Sequence, residues 1–288
     1  MKKIAFAVTN EEIGFHQTLL EHGADEVVYA LAGCAFSGLR SFQLEEIQQL
    51  PHTSVLCTRL FPQDQLPRLK TVLTQLAATD ICHIYFSDPA VLELAEDSLK
   101  PRLVYRPETL ATNALDAHWW MEQGIGGISI SPVLTINEVE DILKQCPGCE
   151  VTIHGHQLLS ASRRPLVSMY ADEIGEGKQA RFIHRPDLSL KEEKRDYELG
   201  IYENECGTFI YSDFVQESFE DVQILAGDGA ARFYFERLRL SQQETIAALD
   251  AYQAVLQGAD ADKAAQALKE SFPSTTYTRG FYGQKTIL

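Results

Sequence analysis

The sequence has no unbroken apolar run of the roughly 18 residues that a membrane-crossing helix requires, so no membrane span is expected. The opening "MKKIAFAVTNEE" reaches acidic residues after only a few apolar ones. That is too short for the apolar centre of a signal peptide and reads as a first strand. A cytoplasmic location is therefore expected, where the six cysteines scattered over 288 residues read as reduced thiols rather than a disulfide framework. Basic residues are also scarce: 25 Lys and Arg stand against 41 Asp and Glu, giving a formal charge of −16. Such a surface repels polyanions, so unaided nucleic-acid binding is not expected without a local basic patch or a basic partner.

The usual catalytic signatures are missing as well. There is no G-x-S-x-G, no H-E-x-x-H, no Walker loop and no dinucleotide glycine fingerprint. "GIGG" (Gly124–Gly127) comes before its strand and cannot cradle a dinucleotide after one. Cys146 and Cys149 form C-P-G-C, but no second pair completes a zinc site, and a redox pair would open a helix rather than follow one. His154 and His156 are the only histidines at a chelating spacing. Two apart on a strand, they are expected to share a face.

What is present is alternation. "KIAFAVTN", "DEVVYAL", "SVLCTRLF", "ICHIYFS", "RLVYRPE", "GGISISPV" and "EVTIHGH" are short apolar strands, and helical segments separate them. Asp88-Pro89 and Thr135 suit helix starts, and Gly23 and Gly124 suit helix stops. From Leu158 to Asp213 the alternation fails and β-like pieces such as "ARFIHR", "YELGIYE" and "GTFIYSD" follow one another. It resumes with "ARFYFERL" and two helical segments. Seven or eight βα units interrupted once predict an α/β fold: one irregular (β/α)-barrel over 1–288, with an antiparallel β insertion at 158–213. An open doubly wound sheet is the alternative.

In a barrel the C-terminal ends of the strands face the functional mouth. "RPET" puts Arg106 and Glu108 there, "GLRSF" adds Arg40, "EVTIHGH" adds His154 and "FERLR" adds Glu236. An arginine-rich rim suits a small carboxylate or phosphate, because guanidinium binds either one bidentately.

The stretch "EVTIHGHQLLSASRRPLVSMY", with "FSDPAVL", "YRPETLATN", "GTFIYSD" and "TRGFYGQKTIL" in the same order, resembles the collagenase-like peptidase family U32. On the matching segments Asn113, Ser162, Arg163, Arg164 and Tyr170 join the rim residues as ligand-binding candidates. Within the family the chain is similar to the smaller, cluster-lacking member of a pair that hydroxylates the wobble uridine of tRNA, using prephenate. Catalytic members hold an iron–sulfur cluster on four cysteines after the His-Gly step, and cluster ligation needs thiolates. Here those places carry Gln157 to Ser160 and Arg164 to Asp172, without a cysteine. The family's acid-glycine strand end keeps its acid as Glu236 but has Arg237 in place of the glycine. The resemblance thus implies an accessory subunit with no cofactor of its own. Its partner would be a larger cluster-bearing family member, and tRNA would be contacted through the complex. A hydrolase using His154, or a regulatory barrel holding a small acid, are the other readings.

Overall fold

The computed structural model describes residues 4–175, 182–194 and 196–283. Its strands, in chain order, are β1 (Ala5–Thr9), β2 (Glu26–Ala30), β3 (Thr53–Cys57), β4 (Ile84–Phe86), β5 (Leu103–Tyr105), β6 (Gly127–Ile128) and β7 (Glu150–Ser162). They are followed by β8 (Ser189–Lys191), β9 (Glu198–Asn204), β10 (Gly207–Gln216), β11 (Arg232–Phe235) and β12 (Thr276–Thr278). The sheet runs β6-β5-β4-β3-β2-β1-β11-β7, parallel throughout this part. No ladder joins β6 to β7. A single parallel bridge, Ser129 to Glu150, brings the two ends together, and the Ile130 N–H donates to the Glu150 carbonyl at 2.9 Å. The architecture is a (β/α)-barrel that meets itself at one point, which makes it irregular.

Two-residue periodicity explains which way each strand faces. Phe6, Val8, Val27, Tyr29, Val55, Cys57, Ile84, Phe86, Leu103, Phe233 and Phe235 belong to the large core between the strands and the outer helices. The alternate residues Ala7, Val28, Ala30, Leu56, Tyr85, Val104 and Tyr234 form a second, smaller cluster inside the ring. Tyr85 and Tyr234 meet edge to face there, with centroids 5.6 Å apart. Helix starts follow local chemistry. Asp88 accepts the Ala90 N–H, and Thr135 and Ser241 form capping boxes with Glu138 and Glu244. Gly23 and Gly124 take positive φ after their helices, as helix stops do.

Below the small aliphatic layer the ring is filled by charge. Glu150, 1 % exposed, places its carboxylate 3.3 Å from Arg106 Nη1 and 3.5 Å from Arg232 Nη1, and accepts from Tyr85 OH at 2.9 Å. Arg232 also pairs with Glu26 at 2.6 Å, and Glu26 in turn lies 2.8 Å from His83 Nδ1.

The inserted segment differs in part from its sequence reading. β7 does not stop at the barrel but runs on for 13 residues, pairing antiparallel with β10, which pairs with β9 and then β8. A helix, Leu166–Glu173, interrupts what the sequence suggests is wholly β. Its N-terminal N–H groups at Val167 and Ser168 are taken by the carboxylate of Glu203, a residue on β9 that local propensity cannot reveal. Of the expected strand "ARFIHR", Ala180 and Arg181 lie outside the described residues, and Ile183 forms one bridge with Glu203. In the tail, β12 adds parallel to β10, and residues 284–288 lie outside the described residues.

Removing one partner of a buried, multiply paired charge costs about 3–5 kcal/mol. Glu150→Ala is expected to lower the unfolding free energy by that amount, read from urea denaturation. A loss under about 1 kcal/mol would mean that the carboxylate does not hold the ring together.

Candidate functional site

The inserted sheet folds back over the barrel. Tyr202, Phe209 and Tyr211 pack with Leu238 against Phe36 and Leu39, and Tyr202 OH donates to the Leu39 carbonyl at 2.8 Å. Beneath this roof, at the C-terminal ends of the strands, lies a cavity of about 60 Å³. At about 10–15 Å³ for each water, that volume suits a few waters or a small polar ligand.

Four of the residues picked out by sequence meet here: Arg40, Arg106, Glu108 and Glu236. Arg106, 8 % exposed, is held from below by Glu150 and donates to Ser129 Oγ at 2.8 Å, and its guanidinium lies 3.6 Å over the Tyr234 ring. Stacking and pairing fix the plane of the fork, which is what bidentate anion recognition needs. Arg40 lies exposed at the rim, 4.6 Å from the Phe42 ring. Glu108 stands in the left-handed region at φ 58°, a conformation that costs a non-glycine residue about 1–3 kcal/mol and tends to mark functional positions.

Glu236 accepts from Thr9 Oγ1 at 2.5 Å and from the Leu238 N–H at 3.1 Å. Burial raises its carboxyl above the usual range. Glu11, which the sequence offered no reason to select, also lines the cavity. Burial pushes its carboxyl up to about 7, with the nearby Glu236 charge adding to this and the Leu39 N–H, at 2.6 Å, opposing it. Three buried polar atoms of cavity-lining residues lack protein partners: Thr152 Oγ1, Gln157 Oε1 and Tyr211 OH. A cavity with one fixed guanidinium, a second at its rim, a carboxyl poised near neutrality and three unpaired polar atoms is built to bind something small and polar.

His154 is not among the lining residues; His156 is. The expectation that the two share a face fails because of a bulge. The register of β7 against β11 slips between Tyr234 and Phe235, pairing Phe235 with His154. His154 therefore packs outward, stacked on Phe235 at 4.4 Å with Nδ1 3.2 Å from Tyr252 OH. Burial holds it down at about 3, so it stays neutral. The glycine between them is what permits this: Gly155 has φ 121°, and a Cβ there would lie 2.1 Å from the Glu236 carbonyl oxygen.

The remaining candidates do not reach the cavity. Asn113 caps helix Ala114–Glu122 by accepting the Asp116 N–H at 2.9 Å. Ser162 ends β7 and accepts the Arg164 N–H at 3.2 Å, while Arg163, Arg164 and Tyr170 are exposed on the inserted segment. Arg237, where the family resemblance leads one to expect glycine, is buried against Phe15 and reaches Asn10 at 2.6 Å and Glu12 at 2.8 Å. It is a brace for the loop after β1.

The residues present do not fit an iron–sulfur cluster. Among the described residues no three His, Cys, Asp or Glu side chains come close enough to hold a metal ion. The six cysteines are free, and Cys149 Sγ turns to the Cys146 carbonyl at 3.1 Å. No helix among the described residues is long and apolar enough to cross a membrane.

The model of peptidase family U32 matches residues 14–286. The tRNA hydroxylation protein P2 of Bacillus subtilis (strain 168) is 27 % identical over 161 residues, 55 % of this chain and 52 % of that protein, so the match spans about half the length of this relative. Among solved structures, the U32 peptidase Mk0906 superposes with a TM-score of 0.49 at 12 % identity, covering 81 % of this chain and 92 % of its own. The IOLI protein with a bound zinc atom gives 0.43 at 9 % identity, covering 88 % and 98 %.

The buried, neutral His154 has a consequence for acid stability. The unfolded chain takes up a proton on this residue below pH 6.5, while the folded chain resists until about 3. Stability is therefore complete above 6.5 and falls by about 1.4 kcal/mol for each pH unit within that window. His154→Gln is expected to flatten the stability curve between pH 6 and 4 relative to the parent. Parallel curves for the two proteins would refute the assignment.

Proposed function

The chain belongs to peptidase family U32, and from that membership we propose that it acts in tRNA modification. In this reading it is an accessory subunit of a wobble-uridine 5-hydroxylation system whose cluster resides in a larger homologous partner. The observation that carries the reading is the combination at the barrel mouth. The binding groups Arg106, Glu236 and Glu11 surround a cavity, while the stretches from Gln157 to Ser160 and from Arg164 to Asp172 hold no thiol. The match to tRNA hydroxylation protein P2 supports the choice of RNA substrate. A formal charge of −16 fits a chain that meets tRNA beside a partner rather than alone.

The cavity's part in this is binding. Arg106, fixed by Glu150 and Tyr234, offers its guanidinium to one carboxylate, and Arg40 at the rim can take a second charge. A small dicarboxylate is the proposed occupant, a size the cavity of about 60 Å³ accepts, and prephenate is left to the complex with the partner. A regulatory barrel that holds a small acid is the second reading, and the same arginines favour it. The hydrolase reading loses its base, because His154 faces away from the cavity. His156 there bonds the Ser212 carbonyl at 2.9 Å and has no hydroxyl or thiol nucleophile hydrogen-bonded to it among the described residues.

Three measurements test these statements. Deleting the gene is expected to lower 5-hydroxyuridine-derived nucleosides in tRNA, read by mass spectrometry, and the purified protein is expected to be colourless and free of iron. Unchanged nucleosides would reject the tRNA role. Binding of malonate, a small dicarboxylate, to the purified chain, followed by calorimetry, is expected to weaken as pH rises from 6 to 8. Glu11 ionises near 7 and adds a negative charge to the cavity. With charges roughly 5–8 Å apart near a protein surface this is worth about 2–3 kcal/mol, a loss of affinity of roughly thirty- to 150-fold. Glu11→Gln should abolish that pH step, and a step that survives it would assign the titration to another group.

A further inference from the structure

Helix Leu166–Glu173 and the residue after it turn an apolar face to solvent. Leu166, Met169, Tyr170 and Ile174 are 42, 53, 65 and 50 % exposed. They stand at positions i, i+3, i+4 and i+8, which is one stripe along a helix. The other side is firmly held. Ala171 is buried, and Glu203, itself fully buried, accepts the Val167 N–H at 2.9 Å, the Ser168 N–H at 3.3 Å and the Ser168 hydroxyl. A carboxylate on the first N–H groups of a helix is a favourable anchor. The stripe is thus exposed on a helix whose orientation is set, and an apolar stripe with a polar border is the usual mark of a contact surface.

Its borders identify the partner. Exposed Arg163 and Arg164 precede the stripe, and exposed Asp172 and Glu173 sit at its far end. A basic–apolar–acidic order is complementary to its own reverse. We propose that this face is the contact between two copies of the chain, with the two helices antiparallel about a two-fold axis near Met169. Met169 then meets its own counterpart, and Arg164 of each copy lies beside Glu173 of the other. This is the isologous arrangement that two-fold symmetry demands. A polyanion such as RNA would suit the arginines but not the apolar stripe or the two acids behind it.

The contact is small. Eight helical residues span about 12 Å, less than a standard interface provides, and the flanking charge pairs are exposed and individually weak. The dimer is therefore a transient one, with a dissociation constant in the micromolar range or weaker. This inference does not depend on the tRNA role.

Sedimentation velocity of the full chain over about 1 to 200 µM, a range that brackets a micromolar constant, tests it. The expected result is a concentration-dependent monomer–dimer shift that Met169→Glu weakens at least tenfold. Arg164→Glu and Glu173→Arg are each expected to weaken it, and the double variant to restore it, because the pairing is then merely reversed. All three positions are exposed, so urea midpoints should match the parent and confirm that each variant is folded. A chain that stays monomeric throughout overturns the proposal, as does a dimer indifferent to Met169→Glu. Charge reversals that fail to rescue one another, or a monomer whose arginines instead bind an added tRNA, overturn it too.

Discussion

The Glu150 carboxylate is the interaction on which the rest of this structure rests. The Glu150 backbone carbonyl accepts a hydrogen bond that brings the β6 and β7 ends together, and its side chain, 1 % exposed, sits between two guanidiniums and a tyrosine hydroxyl. Taking an ion out of water costs several kcal/mol, so such a group persists only where its partners are complete. Here they are complete because three different strands supply them. Closure of the ring and placement of Arg106 are consequences of the same residue. The floor of the cavity is therefore only as well ordered as the seam beneath it.

Much of the barrel was legible in the sequence, and the reasons are local. In β1 and β11 large apolar residues alternate with small or polar ones, so the phase of the strand and the inward direction of Glu236 follow from counting by two. Asp88, Thr135 and Gly124 mark helix ends through side-chain or backbone chemistry that acts within a few residues. Where the reading failed, the cause was distant. The same counting by two placed His154 on the face of His156, and it broke because Gly155 lets the Glu236 backbone approach, a contact made by a residue far along the chain. Helix Leu166–Glu173 went unread because the carboxylate on its start comes from β9. Glu150 did leave a signal: a charged residue opening an otherwise apolar, inward-phased strand asks for a buried partner. Glu11 left none, since its perturbation arises from the roof laid over it.

The inserted segment also changes what the barrel can do. Tyr211 and Leu158 bring it to the cavity wall, while Tyr202 and Phe209 tie it to the loop that carries Arg40. A barrel mouth is ordinarily open to ligands of any length; this one is capped, which restricts it to small ones. Family membership and a roofed, charged cavity thus sit together in one chain.

β11 lies between β1 and β7, and its Glu236 bonds Thr9 across 227 positions of chain. Strands β1 to β6 can pair in the order in which they emerge, each with the neighbour just made. The ring lacks its eighth stave until the whole insertion has been synthesised. Contacts of such sequence separation carry a high loop-closure entropy and form late. Two strand edges, those of β1 and β7, stay unpaired meanwhile. Assembly of this molecule is therefore governed by how long that gap remains open, and a chain cut or stalled before residue 232 would present both edges to its neighbours.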